Sequence, residues 1–230
     1  MKTIGLIGGM SWESTRLYYD ALNVGVRERL GGLHSAKMIL HSVDFAPIAA
    51  MQAAGQWDEM GAILADAARG LERAGADCIG LATNTMHKVA HHITGAVRLP
   101  FVHIAEATAA ALVTAGRHKP HLMATRFTME QAFYKDVLAA RGLSVSVPDD
   151  QGRTDVHTII YEELCRGVIN PASRQRYEAI TGDAKRAGSD CVILGCTEVG
   201  LLLSDANSHL PIFDTTQIHA KALVDFALGS

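Results

Sequence analysis

Residues 187–197 read Ala-Gly-Ser-Asp-Cys-Val-Ile-Leu-Gly-Cys-Thr, and residues 74–84 read Ala-Gly-Ala-Asp-Cys-Ile-Gly-Leu-Ala-Thr-Asn, 113 positions earlier. In each copy an apolar run, typical of a buried strand, ends in a short polar turn. At the matching position of the turn, one copy has Cys196 and the other has Thr83. A long stretch that occurs twice at this distance indicates that the chain consists of two related halves.

Other segments repeat in the same order, which favours an internal duplication. The matches, at separations of 111, 116 and 115 residues, are Leu99–His103 with Leu210–Asp214, Ile7–Met10 with Met123–Arg126, and Tyr18–Tyr19 with Phe133–Tyr134. We therefore expect an N-terminal domain of residues 1–98 plus 213–230, which carries Thr83. A C-terminal domain of residues 99–212 is expected to carry Cys196.

The apolar patterning alternates predicted strands with predicted helices. The strands are expected at residues 3–7, 37–42, 78–82, 101–104, 121–124, 144–147, 191–195 and 212–213, and the helices begin near Ser14, Trp57, Thr85, Ala105, Met129, Asp155, Pro171, Glu198 and Thr216. Strands regularly followed by helices indicate a parallel sheet with helices on both faces. The fold class is therefore α/β, with two pseudosymmetric parallel-sheet domains. Because ligands of such sheets bind beyond the carboxyl ends of the strands, the active site is expected in the interdomain cleft.

Composition excludes several classes of function. The 230 residues are 48% apolar and 20% charged, with a formal net charge of −3, which gives no electrostatic reason to bind nucleic acid or an anionic membrane. The N-terminus enters a strand directly and lacks the pattern of a signal peptide, so we expect a cytoplasmic protein. Its four cysteines show no paired spacing, which predicts free thiols and no disulfide framework.

The turn at Cys196 carries the strongest chemical signal. A thiol at the carboxyl end of a strand meets the first N–H groups of a helix, which favour the thiolate. Gly195 would let the backbone approach a ligand closely, and Thr197 would cap the helix or donate to a carboxylate. The other three cysteines, Cys78, Cys165 and Cys191, are interpreted as inert packing residues.

The partner turn contains the polar run Thr83, Asn84 and Thr85, followed by Met86 and His87. Its small side chains and helix-start amides could hold a carboxylate, although simple capping of the helix is the alternative. Thr83 cannot be a strong base, because its hydroxyl is far less acidic than a thiol of pKa about 8.5. It could still relay a proton.

Two other motifs are weaker. The Gly8-Gly9 turn, which continues to Thr15, fits no nucleotide-binding pattern and is interpreted as a backbone-lined wall for a small acid. His87 and His91 have a spacing that zinc can use, but no third ligand is evident, so no metal is expected.

These motifs together resemble the aspartate/glutamate racemase family, whose members have two pseudosymmetric α/β domains and no cofactor. The resemblance covers the whole chain and rests on the Gly8–Ser11 opening, Asn84–His87, Thr125–Glu130 and Gly195–Glu198. Most members have a cysteine at both turns. With Thr83 at the first turn, this chain resembles a branch that acts on L-aspartate and L-glutamate.

The resemblance implies roles for particular residues. Cys196 would remove the α-proton of the L-enantiomer and Thr83 would be the weaker donor on the opposite face. The residues expected to line the substrate site are Met10, Gln52, Asn84, Thr85, Thr197 and Glu198. A homodimer is implied, and the partner is a small acidic amino acid.

Three alternatives remain at this point. A single cysteine opposite a non-thiol also resembles a decarboxylase that protonates an enolate from one face. An isomerase of a small dicarboxylic acid could use the same fold, and a protein that has lost one base could bind an amino acid without catalysis.

Overall fold

The computed structural model describes residues 1–229 and divides into two compact units. The first comprises residues 1–104 together with the segment from His219 onward, and the second comprises Ala105–Ile218. Both divisions lie six residues after the sequence-based boundaries, which fell after residues 98 and 212. The reason is that the strands at Phe101 and Ile212 each hydrogen-bond to the sheet that precedes them in the chain.

The first unit contains a four-stranded parallel sheet in the order β2-β1-β3-β4. Its strands are β1 Ile4–Gly8, β2 Met38–Ser42, β3 Cys78–Leu81 and β4 Phe101–Val102. Its helices are α1 Trp12–Leu30, α2 Phe45–Ala54, α3 Trp57–Arg73 and α4 Ala90–Ala96, with a 3-10 helix at Thr85–Val89. Helix α5, Ile104–Thr114, begins at the division between the units.

The second unit contains a three-stranded parallel sheet in the order β5-β6-β7. Its strands are β5 Pro120–Ala124, β6 Cys191–Gly195 and β7 Ile212–Asp214. Its remaining helices are α6 Arg126–Glu130, α7 Ala132–Ala139, α8 Asp150–Glu162 and α9 Pro171–Arg186, with 3-10 helices at Leu164–Arg166 and Thr197–Leu201. Helix α10, Thr215–Leu228, contains the second division. The predicted α/β class with two parallel sheets is confirmed.

The repeated stretch connects a helix to the next strand in the same way in both units. Gly75 and Gly188, with φ of 91° and 90°, follow the ends of α3 and α9 and turn the chain towards the next strand. The carboxylates that follow then accept from the start of the neighbouring strand: Asp77 from the Thr3 N–H at 2.6 Å, and Asp190 from the His118 N–H at 2.7 Å. The repeat is therefore a device that joins a helix end to a strand.

A buried tyrosine in each unit extends the correspondence. The Tyr18 hydroxyl lies 2.8 Å from His219 Nδ1, and the Tyr134 hydroxyl donates to Thr108 Oγ1 at 3.4 Å. Tyr18 and Tyr134 are 116 residues apart, and Thr108 and His219 are 111 apart. The sequence match at 115, which set Tyr18 against Phe133, was therefore displaced by one residue, because burial selects Tyr134.

Helices cover both faces of the first sheet. Leu64, Leu71 and Ile93 pack on one face with Ile7 and Ile79. On the other face, a second cluster joins α1 to the chain's last helix. Its members are Ile4, Leu6, Tyr18, Leu22, Val26, Cys78, Ala82, Ala220, Leu223, Val224 and Ala227. Among residues 1–229, none of the helices combines the length and apolar character that crossing a bilayer requires.

One expected strand is nearly absent. Residues 144–147 run beside β5, but only Ser146 forms a parallel bridge, opposite His121. Ser146 N–H donates to Pro120 and its carbonyl accepts from Leu122. The next donor of a parallel ladder would be residue 148, and Pro148 has no N–H, so the pairing stops.

One helix was missed, and two of the expected helices begin as 3-10 helices. Helix α2 was not predicted because its apolar residues lack helical periodicity. Its ends were readable, since Asp44 caps the first turn and Gly55 closes the last in a left-handed conformation. The helices expected after Thr83 and Cys196 are 3-10 helices of five residues each at the outset.

Candidate active site

The turn between β1 and α1 is built around Gly9 and Thr15. The Gly9 N–H donates to Thr15 Oγ1 at 2.7 Å, and that hydroxyl donates to the Ser11 carbonyl at 2.9 Å. Gly9 has a φ of 94°, and a Cβ there would lie 2.2 Å from the Val43 carbonyl oxygen. Close backbone approach therefore requires glycine at this position.

Thr83 follows β3 at the same edge of the first sheet. The Ala82 N–H donates to the Ile7 carbonyl, and the Thr83 N–H donates to the Leu81 carbonyl, both at 2.8 Å. Thr83, Asn84 and Thr85 are all buried within the described residues. These three polar residues are therefore buried at the carboxyl end of β3, where backbone hydrogen bonds fix the start of the turn.

His87 closes this turn through both of its ring nitrogens. Nδ1 lies 2.7 Å from the Thr83 carbonyl oxygen, and Nε2 accepts from the Ile104 N–H at 3.1 Å. Burial, followed by the neighbouring His103 and His219, holds the pKa of His87 well below its usual range. A neutral ring with two protein partners has no nitrogen left for a metal.

Met10 and Gln52 lie in the same unit as Thr83. Met10 belongs to the apolar cluster under α3. Gln52, on α2, is buried and its Nε2 donates to the Met86 sulfur at 3.2 Å. Five of the expected site residues therefore belong to the first unit: Met10, Gln52, Thr83, Asn84 and Thr85.

Cys196 follows β6 at the corresponding edge of the second sheet. Gly195 pairs in register with Ala124 of β5, and Thr215 Oγ1 donates to the Leu194 carbonyl at 2.8 Å. A Cβ on Gly195 would lie 2.8 Å from the Ala124 Cβ. Glycine is therefore required at position 195 because β5 and β6 pack too closely there for a side chain.

A buried carboxylate faces the Cys196 thiol. Cys196 Sγ donates to Glu198 Oε2 at 3.0 Å, and Cys165 Sγ donates to Glu198 Oε1 at 3.8 Å. Glu198 is 2% exposed, whereas Cys196 keeps part of its surface accessible. Cys165, which the sequence interpretation treated as inert, therefore shares the carboxylate of the thiol at the turn.

The expected thiolate is not the resting form of Cys196. Burial first, and then the negative charge of Glu198, raise the pKa of the Cys196 thiol well above its ordinary value. The helix that follows is a 3-10 helix from Thr197 to Leu201, too short to offset both effects. Sequence reasoning missed this because it weighed the helix start and not the burial of the thiol beside a carboxylate.

Three of the expected site residues thus belong to the second unit: Cys196, Thr197 and Glu198. Thr197 and Glu198 are buried. Tyr161 and Tyr177 adjoin the same acidic groups, and burial is the main cause that raises the pKa of each phenol. The tyrosines lie on amphipathic helices and gave no distinguishing signal in the sequence. No group of three metal-ligating side chains occurs within residues 1–229.

Comparison with known proteins identifies the class to which this fold and these turns belong, the amino-acid racemases. A family model described as Asp/Glu/Hydantoin racemase matches residues 7–223. Because that match spans most of the chain, the protein belongs to the Asp/Glu/hydantoin racemase family.

Individual relatives agree over nearly the full length. A solved Yersinia pestis protein, proposed to be an Asp/Glu racemase, is 49% identical with a TM-score of 0.92, covering 99% of this chain and 100% of its own. An aspartate racemase homologue from Pyrococcus horikoshii OT3 is 34% identical with a TM-score of 0.86, at the same coverage. The broad specificity amino-acid racemase RacX of Bacillus subtilis strain 168 is 27% identical over 98% of both chains. The protein is thus an amino-acid racemase.

Proposed function

We propose that the protein racemises acidic amino acids, L-aspartate or L-glutamate, without a cofactor. Cys196 removes the α-proton of the L-enantiomer, and Thr83 returns a proton on the opposite face. The observation that carries this proposal is the 3.0 Å contact between the Cys196 thiol and the buried Glu198 carboxylate at the end of β6. The duplication gives Thr83 the equivalent position at the end of β3.

The first step needs a thiolate, and Glu198 can produce it. Because the resting thiol already donates to Glu198, proton transfer along this hydrogen bond leaves a Cys196 thiolate and a neutral Glu198. The thiolate then takes the α-proton, which restores the thiol and leaves a carbanion on the substrate. Positioned acid–base groups of this kind contribute roughly 10²–10⁴-fold to a rate.

The second step uses a much weaker acid. Thr83 has a hydroxyl where Cys196 has a thiol, and the residue equivalent to Glu198 in the first unit is Thr85. The Thr83 hydroxyl therefore donates its hydrogen to the carbanion as it accepts one from water, and Glu198 releases its proton to solvent. Reprotonation on this face is slow, so exchange of the L-enantiomer outpaces racemisation.

Charge that builds on the substrate carboxylate needs fixed donors. Asn84, Thr85 and Thr197 are buried polar residues beside the two reacting side chains in sequence, and we propose that they bind this carboxylate. Preorganised donors of this kind stabilise a developing charge more than water does. Met10 and Gln52 are proposed to line the rest of the substrate site.

The choice of acidic substrates rests on the family and on its relatives. The description of the family model names Asp and Glu among the substrates, and the Pyrococcus horikoshii relative is an aspartate racemase homologue. RacX has broad specificity, so neutral amino acids belong in the substrate panel. The homodimer and the cytoplasmic location stay predictions; light scattering of the purified protein tests the first.

The test measures incorporation of deuterium at the α-carbon from D₂O by proton NMR, with each enantiomer of aspartate and glutamate. We expect exchange of L-substrate with slower appearance of D-product. Turnover of a malonate would instead indicate a decarboxylase, and binding without exchange would indicate a binding protein.

Two variants test the assigned roles. Cys196→Ser should lower exchange of L-substrate by roughly 10²-fold or more, since an alcohol is a far weaker acid than a thiol. Thr83→Cys should permit exchange of D-substrate, whereas Thr114→Cys, which adds a thiol at an exposed position, should not. Full exchange by Cys196→Ser would show that Cys196 is not the base.

A further inference from the structure

The Thr83 turn is held by a side chain that the proposed chemistry does not use. His87 is the third residue of the 3-10 helix at Thr85–Val89 and is 4% exposed. Its Nε2 must accept, because the atom facing it is the N–H of Ile104 at 3.1 Å. In a neutral imidazole the other nitrogen then carries the hydrogen, so Nδ1–H donates to the Thr83 carbonyl at 2.7 Å.

The neighbours of His87 preserve this neutral form. The rings of His103, Phe101 and His219 lie 4.6, 5.4 and 6.0 Å from the His87 ring, centre to centre. His219 is itself neutral and fixed, since its Nε2 faces the Val102 carbonyl at 2.7 Å and its Nδ1 faces the Tyr18 hydroxyl. Burial lowers the pKa of His219 to about 4. Burial is the main cause of the lowered pKa of His87, and the neighbouring His103 and His219 lower it further.

The second unit has no counterpart of this tether, the hydrogen bond from His87 Nδ1–H to the Thr83 carbonyl. The residue 113 positions after His87 is Gly200, which has no side chain, and the Cys196 carbonyl instead accepts from the Val199 N–H at 3.1 Å. A Cβ on Gly200 would lie 3.3 Å from Asp214 Oδ2. Asp214 is the counterpart of His103, 111 positions later in the chain. The ring-to-carbonyl bond therefore belongs to the threonine side of the duplication.

We infer that His87 is a positioning residue for Thr83: its Nδ1–H fixes the peptide of Thr83 and with it the direction of the hydroxyl. This inference rests on the proposed function, in which Thr83 donates to the substrate. A thiol acts with a paired carboxylate in the second unit, whereas a hydroxyl has little intrinsic acidity and depends on alignment. Misplacement of a reacting group by about 1 Å can lower a rate by about 10²-fold.

Two substitutions separate the bonds of His87. His87→Asn keeps an amide donor near the Nδ1 position and removes the acceptor for Ile104. His87→Gln keeps an acceptor near the Nε2 position and removes the donor to Thr83. His91→Gln, at an exposed position on the adjoining helix α4, is the matched control.

The measurement is the ratio of racemisation to α-deuterium exchange with L-aspartate and L-glutamate. For His87→Gln we expect exchange within about threefold of the unaltered protein and racemisation lowered roughly 10- to 100-fold. His87→Asn should restore most of the racemisation, and His91→Gln should leave both rates unchanged. Equal losses of racemisation in both His87 variants, or no loss in His87→Gln, would overturn the inference.

The experiment also separates this inference from the proposed function. If the unaltered protein exchanges no acidic amino acid, the proposed function fails; if it exchanges and His87→Gln behaves normally, only the inference fails. Should the variants not fold, nitrogen NMR of histidine-labelled unaltered protein decides. A neutral His87 protonated at Nδ1 at pH 7 supports the tether, and a charged ring or an Nε2–H tautomer overturns it.

Discussion

Glu198 lies two residues after Cys196, and its carboxylate accepts the thiol hydrogen at 3.0 Å. Such a neighbour has two opposite effects on reactivity. Together with burial, which is the larger cause, its charge raises the pKa of Cys196 and so reduces the amount of thiolate, while its oxygen offers a short path for the proton. A substitution that removes the charge but keeps the shape distinguishes which effect governs the rate.

Glu198→Gln provides that test. If Glu198 is the proton acceptor, L-exchange should fall by roughly 10²-fold and should increase with pH, because solvent must then deprotonate the buried thiol. Deuterium exchange at several pH values measures this. Glu130→Gln, at an exposed carboxylate paired with Arg153, serves as the control. Faster exchange in Glu198→Gln would mean that the carboxylate only suppresses the thiolate.

The sequence identified the residues at the two turns better than it identified their chemical states. Thr83 and Cys196 were located by repetition, which needs no coordinates. The contact of Cys165 with Glu198 could not be predicted, because these residues lie on different elements 33 positions apart. The raised pKa of Cys196 likewise follows from burial, which a linear pattern does not report.

The turn between β1 and α1 shows how an element connection depends on one position. Gly9 and Gly75 have nearly the same φ, 94° and 91°, but differ in their surroundings. A Cβ at Gly9 would lie 2.2 Å from the Val43 carbonyl oxygen, whereas a Cβ at Gly75 would have nothing within 4 Å. Comparison of these two glycines therefore separates the cost of the backbone conformation from the cost of steric crowding.

Gly9→Ala should consequently destabilise the protein more than Gly75→Ala does. We expect about 1–2 kcal/mol from the backbone conformation in both variants. Displacement of the Val43 backbone should add about 1–3 kcal/mol in Gly9→Ala alone. Urea unfolding followed by circular dichroism measures the difference. Equal losses in the two variants would show that the turn relaxes freely.

The elements that sequence patterns predicted well are those whose periodicity reflects burial. Strands β1, β3, β5 and β6 are buried throughout and were all expected within one residue or so of their ends. The segment at 144–147 alternates serine with valine, a pattern typical of a half-buried strand, but Pro148 removes the donor that would extend its ladder. The hydrogen-bonding partners available to this segment, rather than the strand preference of its residues, therefore determined that it forms only one bridge.

At the scale of the whole molecule, both units bury neutral histidines. Burial lowers the pKa of His121 in the second unit and of His219 in the first to about 4, and also lowers that of His87. The unfolded chain binds protons at these side chains near pH 6.5, and the folded chain does not. Stability is therefore complete above about pH 6.5 and is lost as the pH falls towards 4.

Acid should accordingly weaken the fold before most carboxylates are protonated. His121 and His219 should each contribute a loss on the order of 3 kcal/mol between about pH 6.5 and 4, since one pKa unit corresponds to about 1.4 kcal/mol. Urea unfolding at intervals of pH measures the slope. His219→Gln should show a shallower slope than the unaltered protein; an identical slope would contradict the assignment.

The duplication and the return of the C-terminal segment to the first domain were both expected from the sequence, while the position of each division, six residues later in the chain, needed the structure. Residues from His219 onward complete the first unit, where Leu223 and Val224 pack with Leu6 and Tyr18. Ribosomes make this segment after residues 105–218, which form the second unit. Although domains generally fold in order from the N-terminus, here the later one can be finished on the ribosome while the earlier one still waits for its closing helix.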